Sequence, residues 1–269
     1  MGKNLNISIV LYKSEFNEIS TIVNILKDNI FTNQIYLIDN SPSQNEAFKI
    51  FGDNYIFNGK NIGFGAGHNL AIKKSILNGI EYHLVLNSDI SIENNCLDKL
   101  IHYLDINKDI GAIMPKIVNQ DGTTQLLPKL LPSPLDLLIR VFPFLKKIAP
   151  NRSKLYVLED HLNQVLNVPI ISGCFSLFNV RTLKEVGIYD EKFFMYFEDF
   201  DISRRIHTKY RTIYYPEVNI IHYHERGAAK NFKLFTIFIL SAIYYFNKFG
   251  WFFDKERKRI NNEVLNQIK

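Results

Sequence analysis

Apolar residues along this chain fall into short runs separated by stretches of helical spacing. Residues 5–12 (LNISIVLY) read as a strand, residues 18–26 as a helix, and residues 34–38 (QIYLI) as a second strand closed by Asp39. A turn at Asn40-Ser41-Pro42, a short helix over 44–51 and a brief strand at 55–57 follow. The run Asn61-Ile62-Gly63-Phe64-Gly65-Ala66-Gly67-His68-Asn69 then opens a helical pattern through Leu77. A buried strand after it runs out at Asn87-Ser88-Asp89. Residues 96–104 suit a helix, and 110–114 a strand that Pro115 should terminate. Strands alternating with helices predict an α/β fold with a mainly parallel central sheet and right-handed crossovers.

The alternation breaks at residues 126–150, which hold Pro128, Pro132, Pro134, Pro143 and Pro150 among many Leu and Phe. Those prolines forbid one long helix, and the apolar content is too high for a solvated loop. A mobile flap and a packing arm both fit. Strand character returns at 168–179, helical spacing at 181–186, and a further strand at 218–221 leads into His222-Tyr223-His224. Residues 234–246 are continuously apolar but fall short of the ~20 needed to span a bilayer, so a buried or interfacial helix is expected.

At 269 residues and 46% hydrophobic, the chain can bury a sizeable core as one large α/β domain or two small ones. Cys96 and Cys174 lie far apart without CxxC or Cys/His spacing, which argues against a disulfide framework or a zinc site and suits a reducing compartment. The N-terminus runs straight into a strand with no secretory h-region, so a cytoplasmic location is expected. The net charge of +5 is uneven, with Lys255, Arg257, Lys258 and Arg259 following Trp251-Phe252-Phe253. That pairing suits a membrane surface better than a nucleic-acid groove.

Candidate chemistry sits at the strand ends. A carboxylate leaving a buried strand, as Asp89 does, lies where open α/β sheets bind ligands, although Asn-Ser-Asp also serves as a turn and helix cap. The glycine run contains no GxGxxG and follows the third strand, so a dinucleotide fingerprint is disfavoured; a nucleotide approaching the loop by another route and a glycine-rich helix cap fit equally well. In residues 193–205, Glu198, Asp199 and Asp201 lie among aromatics ahead of Arg204 and Arg205. Asp201 and Arg205 can pair at i,i+4, which leaves Glu198 and Asp199 at the first turn as a general base or simply as complements to the helix dipole.

Taken in order, Asp39, the 61–69 loop, Asn87-Ser88-Asp89, Ser172-Gly173-Cys174-Phe175, residues 193–205 and His222 make the chain resemble the family-2 inverting glycosyltransferases with the GT-A fold. The likeness is greatest to their rhamnosyltransferase-like members and covers residues 7–254. It implies a GT-A domain over 1–230, with 126–150 as a flap, and a C-terminal helical, membrane-proximal extension over 231–269. It implies nucleotide contacts from Tyr12, Asp39, Asn61, Gly63, Phe64, Asn69, Asn87 and Ser88, with Asp39 on the base. Asp89 would hold Mg2+ or Mn2+ against the diphosphate. Asn87 stands where the family's DxD motif has its first acid, so His222 becomes the expected second ligand and His224 an alternative. Asp199 would be the general base, Glu198 its helper, and Gly173 and Cys174, with His224, would lie at the acceptor site. The implied reaction moves a sugar, first of all rhamnose from its dTDP donor, to a hydroxyl of a surface-glycan acceptor that is lipid-linked in such enzymes. UDP-hexose or UDP-N-acetylhexosamine donors are the alternative. A nucleotidyltransferase would need a glycine- and basic-rich loop after the first strand, which Leu11-Tyr12-Lys13-Ser14-Glu15 does not supply. A non-catalytic membrane-associated protein that binds nucleotide sugars is the rival from another class.

Overall fold

The computed structural model of the chain describes residues 2–93, 95–223 and 232–269. Its N-terminal half runs β1 (Leu5–Leu11), α1 (Phe16–Lys27), β2 (Thr32–Asp39), a 3-10 helix (Glu46–Asn54), β3 (Tyr55–Phe57), α2 (Phe64–Leu77) and β4 (Tyr82–Leu86). These strands pair in parallel, in the order β3-β2-β1-β4. Every residue of β4, and all of β1 but Val10, is buried, as expected for strands covered on both faces. A buried polar chain ties α2 to this sheet. Ser8 Oγ lies 2.7 Å from His68 Nδ1 and 2.9 Å from His83 Nε2, and His83 Nδ1 lies 2.7 Å from Ser75 Oγ. Burial lowers the pKa of both imidazoles, that of His83 to about 3, so the chain is neutral and α2 is held in one register.

The rest of the sheet mixes directions. After β5 (Ile90–Ser91), α3 (Cys96–Ile106) and β6 (Ile110–Val118), the chain continues through β7 (Leu166–Asn167), β8 (Phe175–Asn179), α7 (Val180–Val186), α8 (Glu198–His207) and β9 (Arg211–His222). Strand β8 lies antiparallel to both β4 and β6, β6 runs parallel to β9, and β5 and β7 pair antiparallel with β9. Pro115 does not end β6 as its residue type suggests. The β6–β9 register shifts between Pro115 and Lys116, and a proline is tolerated in a strand at such an irregularity. The strand expected over 168–179 forms only at its last five residues, as β8.

Prolines in the 126–150 stretch start helices. Each of α4 (Pro134–Val141), α5 (Pro143–Ile148) and α6 (Pro150–Tyr156) has one in its first turn, where a missing N–H costs nothing. Leu130, Leu131, Leu137 and Ile139 are buried, and Leu131 exchanges two hydrogen bonds with the Asn261 side chain. This stretch is therefore packed as an arm on the C-terminal helices.

Those helices, α9 (Phe232–Phe249) and α10 (Lys255–Gln267), share a core with the rest of the chain. Ala242, Tyr245, Phe246 and Ile260 pack with Leu131, Leu137, Ile170, Phe193, Phe197 and Phe200. The weld is a buried bidentate ion pair, Arg204 Nη1 and Nη2 each 2.7 Å from an Asp254 oxygen, with the guanidinium 4.2 Å above the Phe249 ring. Asp254 also caps α10 by accepting from Arg257 N. Among the described residues, no helix is long and apolar enough to cross a membrane.

Removing one partner of a buried ion pair leaves the other charge stranded, which typically costs ~3–5 kcal/mol. Asp254→Ala is expected to lose that much in urea unfolding. A loss below ~1 kcal/mol would show that the pair does not hold α10 to α8.

Candidate functional site

The glycine loop meets the turn before α8 through backbone. Gly63 caps α2 at φ 98°, and a Cβ there would lie 2.6 Å from the Phe194 carbonyl, so no other residue fits. Phe64 N donates to that same carbonyl at 2.9 Å, and Asn61 Oδ1 accepts from Gly63 N. Asn40, which the sequence marks only as a turn residue, donates through Nδ2 to Gly63 O at 3.1 Å and so braces the loop from the end of β2. Tyr12, Asn61, Gly63 and Phe64 line a cleft of about 970 Å³ together with Phe194, Met195 and the start of α9.

Glu198 and Asp199 open α8 from a strained turn. Tyr196 (φ 70°) and Phe197 (φ 66°) are both left-handed, a conformation costing about 1–3 kcal/mol at each non-glycine position. Aromatic contacts oppose that strain. Phe197 packs 5.0 Å from Phe200, 5.4 Å from Phe238 and 5.4 Å from Tyr245, and Tyr196 packs 5.8 Å from Phe238. One helical turn later Arg205 pairs with Asp201 at 2.8 Å, and Lys248 reaches Asp201 at 2.6 Å and Asp190 at 2.7 Å. Asp201 is thus fully employed in structure.

The two acids differ in environment. Glu198 is buried, and its Oε2 finds no hydrogen-bond partner among the described residues; burial and the neighbouring Asp199 charge push its carboxyl well above the usual range. Burial also raises Asp199, but the Lys129 charge and the N–H groups of Gly173 and Phe200 oppose that rise. Both carboxyls are thus raised, Glu198 the more strongly, so Asp199 is the one of the pair that gives up its proton first. Gly173 joins this acid to the glycine loop: its N–H donates to Asp199 Oδ2 at 3.4 Å, and a Cβ there would lie 3.3 Å from Phe64 Cε1.

Asp89 follows the end of β4 by three residues, in the turn into β5, and is well exposed. His222, the last residue of β9, is buried with Nε2 3.2 Å from Asp89 Oδ1, and Tyr223 N donates to the Asp89 carbonyl. Burial alone would lower the imidazole pKa, but Asp89 and the adjacent Cys174 outweigh it and bring it to about 9. Asn87 N donates to Cys174 O at 3.0 Å, which closes the link between the two strand ends. Ser88 and Asp89 line a second cleft of about 730 Å³ beside α1.

Three residues stand differently from their expected places. Asn69 is fully buried, and its amide is spent on the backbone of Tyr189 and on Glu191, so it fixes the 189–191 loop and cannot contact a nucleotide. Asp39 ends β2 but is buried, with Oδ1 accepting from Ser41 N and Oδ2 from the Tyr55 hydroxyl at 2.6 Å. Each oxygen thus accepts one bond and keeps a second lone pair, so Asp39 can accept from a base without releasing Tyr55. Cys174 lies against His222 at the Asp89 end, while Gly173 alone meets Asp199. His224 lies outside the described residues. Lys129 was missed; its only signal was a lysine held between Pro128 and Leu130 in an apolar run.

Solved structures with the same architecture include GalNAc-T7 with UDP, GalNAc and Mn2+ (TM-score 0.59, 15% identity, 85% of this chain and 44% of that one). S. aureus TarS also has a TM-score of 0.59 at 15% identity, over 98% of this chain and 43% of its own. The mannosyltransferase PcManGT from Pyrobaculum calidifontis, in complex with GDP-Man and Mn2+, has 0.54 at 11% identity, over 99% and 75%. The chain has the GT-A fold. In sequence, this GT-A chain is 27% identical over 209 residues to the low-salt glycan biosynthesis hexosyltransferase Agl10 of Haloferax volcanii, matching 76% of its own length. It spans 62% of that relative. No protein-family profile matches it.

A pKa raised in the folded state stabilises below the unfolded value of about 6.5 and loses that contribution as pH climbs through about 9. Stability of the GT-A chain is expected to fall by on the order of 1–3 kcal/mol over that window, on the scale set by linkage. His222→Gln should flatten the dependence; an unchanged slope in that variant would assign it to another group.

Proposed function

We propose that this chain is an inverting glycosyltransferase that moves a sugar from a nucleotide diphosphate donor to a hydroxyl of a glycan acceptor. The observation that carries the reading is the convergence at Gly173 of Phe64, from the loop lining the larger cleft, and Asp199, an acid whose proton affinity burial raises next to a still more strongly raised Glu198. Asp199 takes the proton from the acceptor hydroxyl. The freed oxygen attacks the anomeric carbon from the side opposite the leaving nucleoside diphosphate, so configuration inverts with no covalent enzyme intermediate. Glu198, protonated and unpartnered at Oε2, keeps a second negative charge away from the base.

The same reading includes a divalent cation, Mg2+ or Mn2+, as the bound Mn2+ in two structures of this fold supports. The residues fit it. Asp89 and His222 bring an oxygen and a nitrogen together at the cleft, and no larger group of acid, His or Cys side chains clusters among the described residues. One or two side chains, completed by substrate phosphates and water, is the usual arrangement for such ions. When bound, the ion would offset charge on the leaving diphosphate. Tyr12, Asn61, Gly63 and Phe64 would line the nucleoside, with Asn87 and Ser88 beside the diphosphate. For the donor, the hexosyltransferase relative supports a hexosyl group; dTDP-rhamnose is the first candidate and UDP-hexose, UDP-N-acetylhexosamine and GDP-mannose its competitors.

A lipid-linked acceptor met at the inner face of a membrane completes the proposal. Phe232, Leu240, Phe252 and Phe253 at the C-terminal helices, and Leu138 and Phe144 on α4 and α5, all point large apolar groups into solvent. The arm at 126–150 would then move or rest against lipid as the acceptor enters.

Asp199→Asn is expected to lower transfer at least 10²-fold, the usual size of a general-base contribution, while dialysis shows UDP or dTDP still bound in the presence of Mn2+. Turnover retained in that variant would name the wrong base, and no nucleotide bound by the wild type would remove the transferase reading. In flotation with anionic vesicles, the chain is expected to rise with lipid and Phe252→Ser/Phe253→Ser to stay behind; wild-type protein left at the bottom would limit α9 and α10 to packing.

A further inference from the structure

A third cavity, of about 180 Å³, lies inside the proline-started arm and is lined by Lys129, Asp136, Arg140 and Tyr156 with Ile139 and Ser153. It is smaller than the ~300–1,000 Å³ of sites that enclose a whole organic ligand, and suits one small polar group. Its charge is positive. Asp136, the acid of the lining, is already taken by Arg152 Nε at 2.8 Å and by the α4 capping box with Ser133. Neither Lys129 nor Arg140 has a carboxylate within ion-pair distance among the described residues, and each cation raises the cost of charging the other. The Tyr156 hydroxyl is buried beside them and, among the described residues, has no hydrogen-bond partner. A buried hydroxyl and two unneutralised cations around one small space are what an anion with several acceptor oxygens would satisfy together.

Position ties this cavity to the reaction. Lys129 and Asp199 are close enough for each to feel the other's charge, and Gly173 in turn adjoins both Asp199 and Phe64, so the cationic cavity is linked through Lys129 to the acid proposed as general base. The outer side of the same arm presents exposed Leu135, Leu138, Phe142 and Phe144. The geometry points to an acceptor-phosphate subsite: Lys129, Arg140 and the Tyr156 hydroxyl bind a phosphoryl group carried by the acceptor near its reacting hydroxyl. This rests on the transferase reading only for the word acceptor; the anion site itself stands on the cavity. The phosphoryl group could belong to a lipid phosphate or to a soluble phosphorylated glycan, and both share the chemistry of a tetrahedral oxyanion.

The test titrates the full chain with hexyl phosphate and with inorganic phosphate by calorimetry, and with UDP plus Mn2+ in parallel. Hexyl phosphate is expected to bind, and Lys129→Ala/Arg140→Ala to weaken it at least tenfold while UDP affinity stays within twofold. Tyr156→Phe, which removes only an oxygen, and Arg140→Gln, at an exposed position, give smaller losses in the same direction and guard against a double variant that fails to fold. Hexyl phosphate at least tenfold tighter than inorganic phosphate supports a lipid source, and equal affinities a soluble one. No binding of either phosphate, or binding untouched by these substitutions, overturns the subsite. UDP binding without phosphate binding would leave the transferase reading standing alone, and phosphate binding without any nucleotide binding would leave the anion site without it.

Discussion

The arrangement depends on one strained turn. Tyr196 and Phe197 sit left-handed one after the other, and the helix carrying Glu198 and Asp199 starts from them. Neither residue favours that conformation, so it persists only because surrounding packing specifies it. That packing comes from Phe238 and Tyr245 on α9, far along the chain. Backbone bonds anchor the same segment from the other side, where Phe64 N donates to Phe194 O and Gly63 leaves room for that carbonyl. The position of the acidic pair is therefore a compromise between the glycine loop and the C-terminal helices, and α9 belongs to the site as much as to the periphery.

Charge is distributed around that turn by the same logic. Asp201 and Asp254 are buried but matched by Arg205, Lys248 and Arg204 through short bonds, so their burial is offset and the helix is fixed. Among the described residues, Glu198 and Asp199 have no such close cation. Burial raises the proton affinity of both, but two backbone N–H groups and the more distant Lys129 oppose the rise at Asp199, so the two acids separate in strength. A carboxylate of raised proton affinity is what the proposed proton abstraction from a hydroxyl would use. At the opposite strand ends, the Asp89 and His222 contact creates a polar pair, and the cation proposed there would have to displace its proton.

Much of this was legible along the chain because it is local. Hydrophobic alternation gave away β1, β2 and β4, the glycines marked the start of α2, and three acids ahead of two arginines marked the first turns of α8, including the Asp201 and Arg205 pair. These features depend on neighbours within a few residues, where periodicity, capping chemistry and i,i+4 spacing apply. Proline at the 126–150 arm was ambiguous for the same local reason: it breaks a helix in the interior and begins one at the first turn, and only packing against α10 shows which.

What lay beyond the sequence was decided by strand order. Placing β8 between β4 and β6, and β9 next to β6, brings Cys174 and His222 to Asp89 and Gly173 to both Phe64 and Asp199. A side chain's partners across a sheet follow from which strands are neighbours, and no local pattern encodes that. Asn69 illustrates the reverse: the resemblance implied a nucleotide contact for it, yet the fold turns it inward onto Tyr189 and Glu191. The sequence by itself determined which residues could do chemistry and where each local element begins. The tertiary structure alone decided which of them meet, because contacts between residues distant along the chain are set by sheet topology and by the packing of α9 and α10.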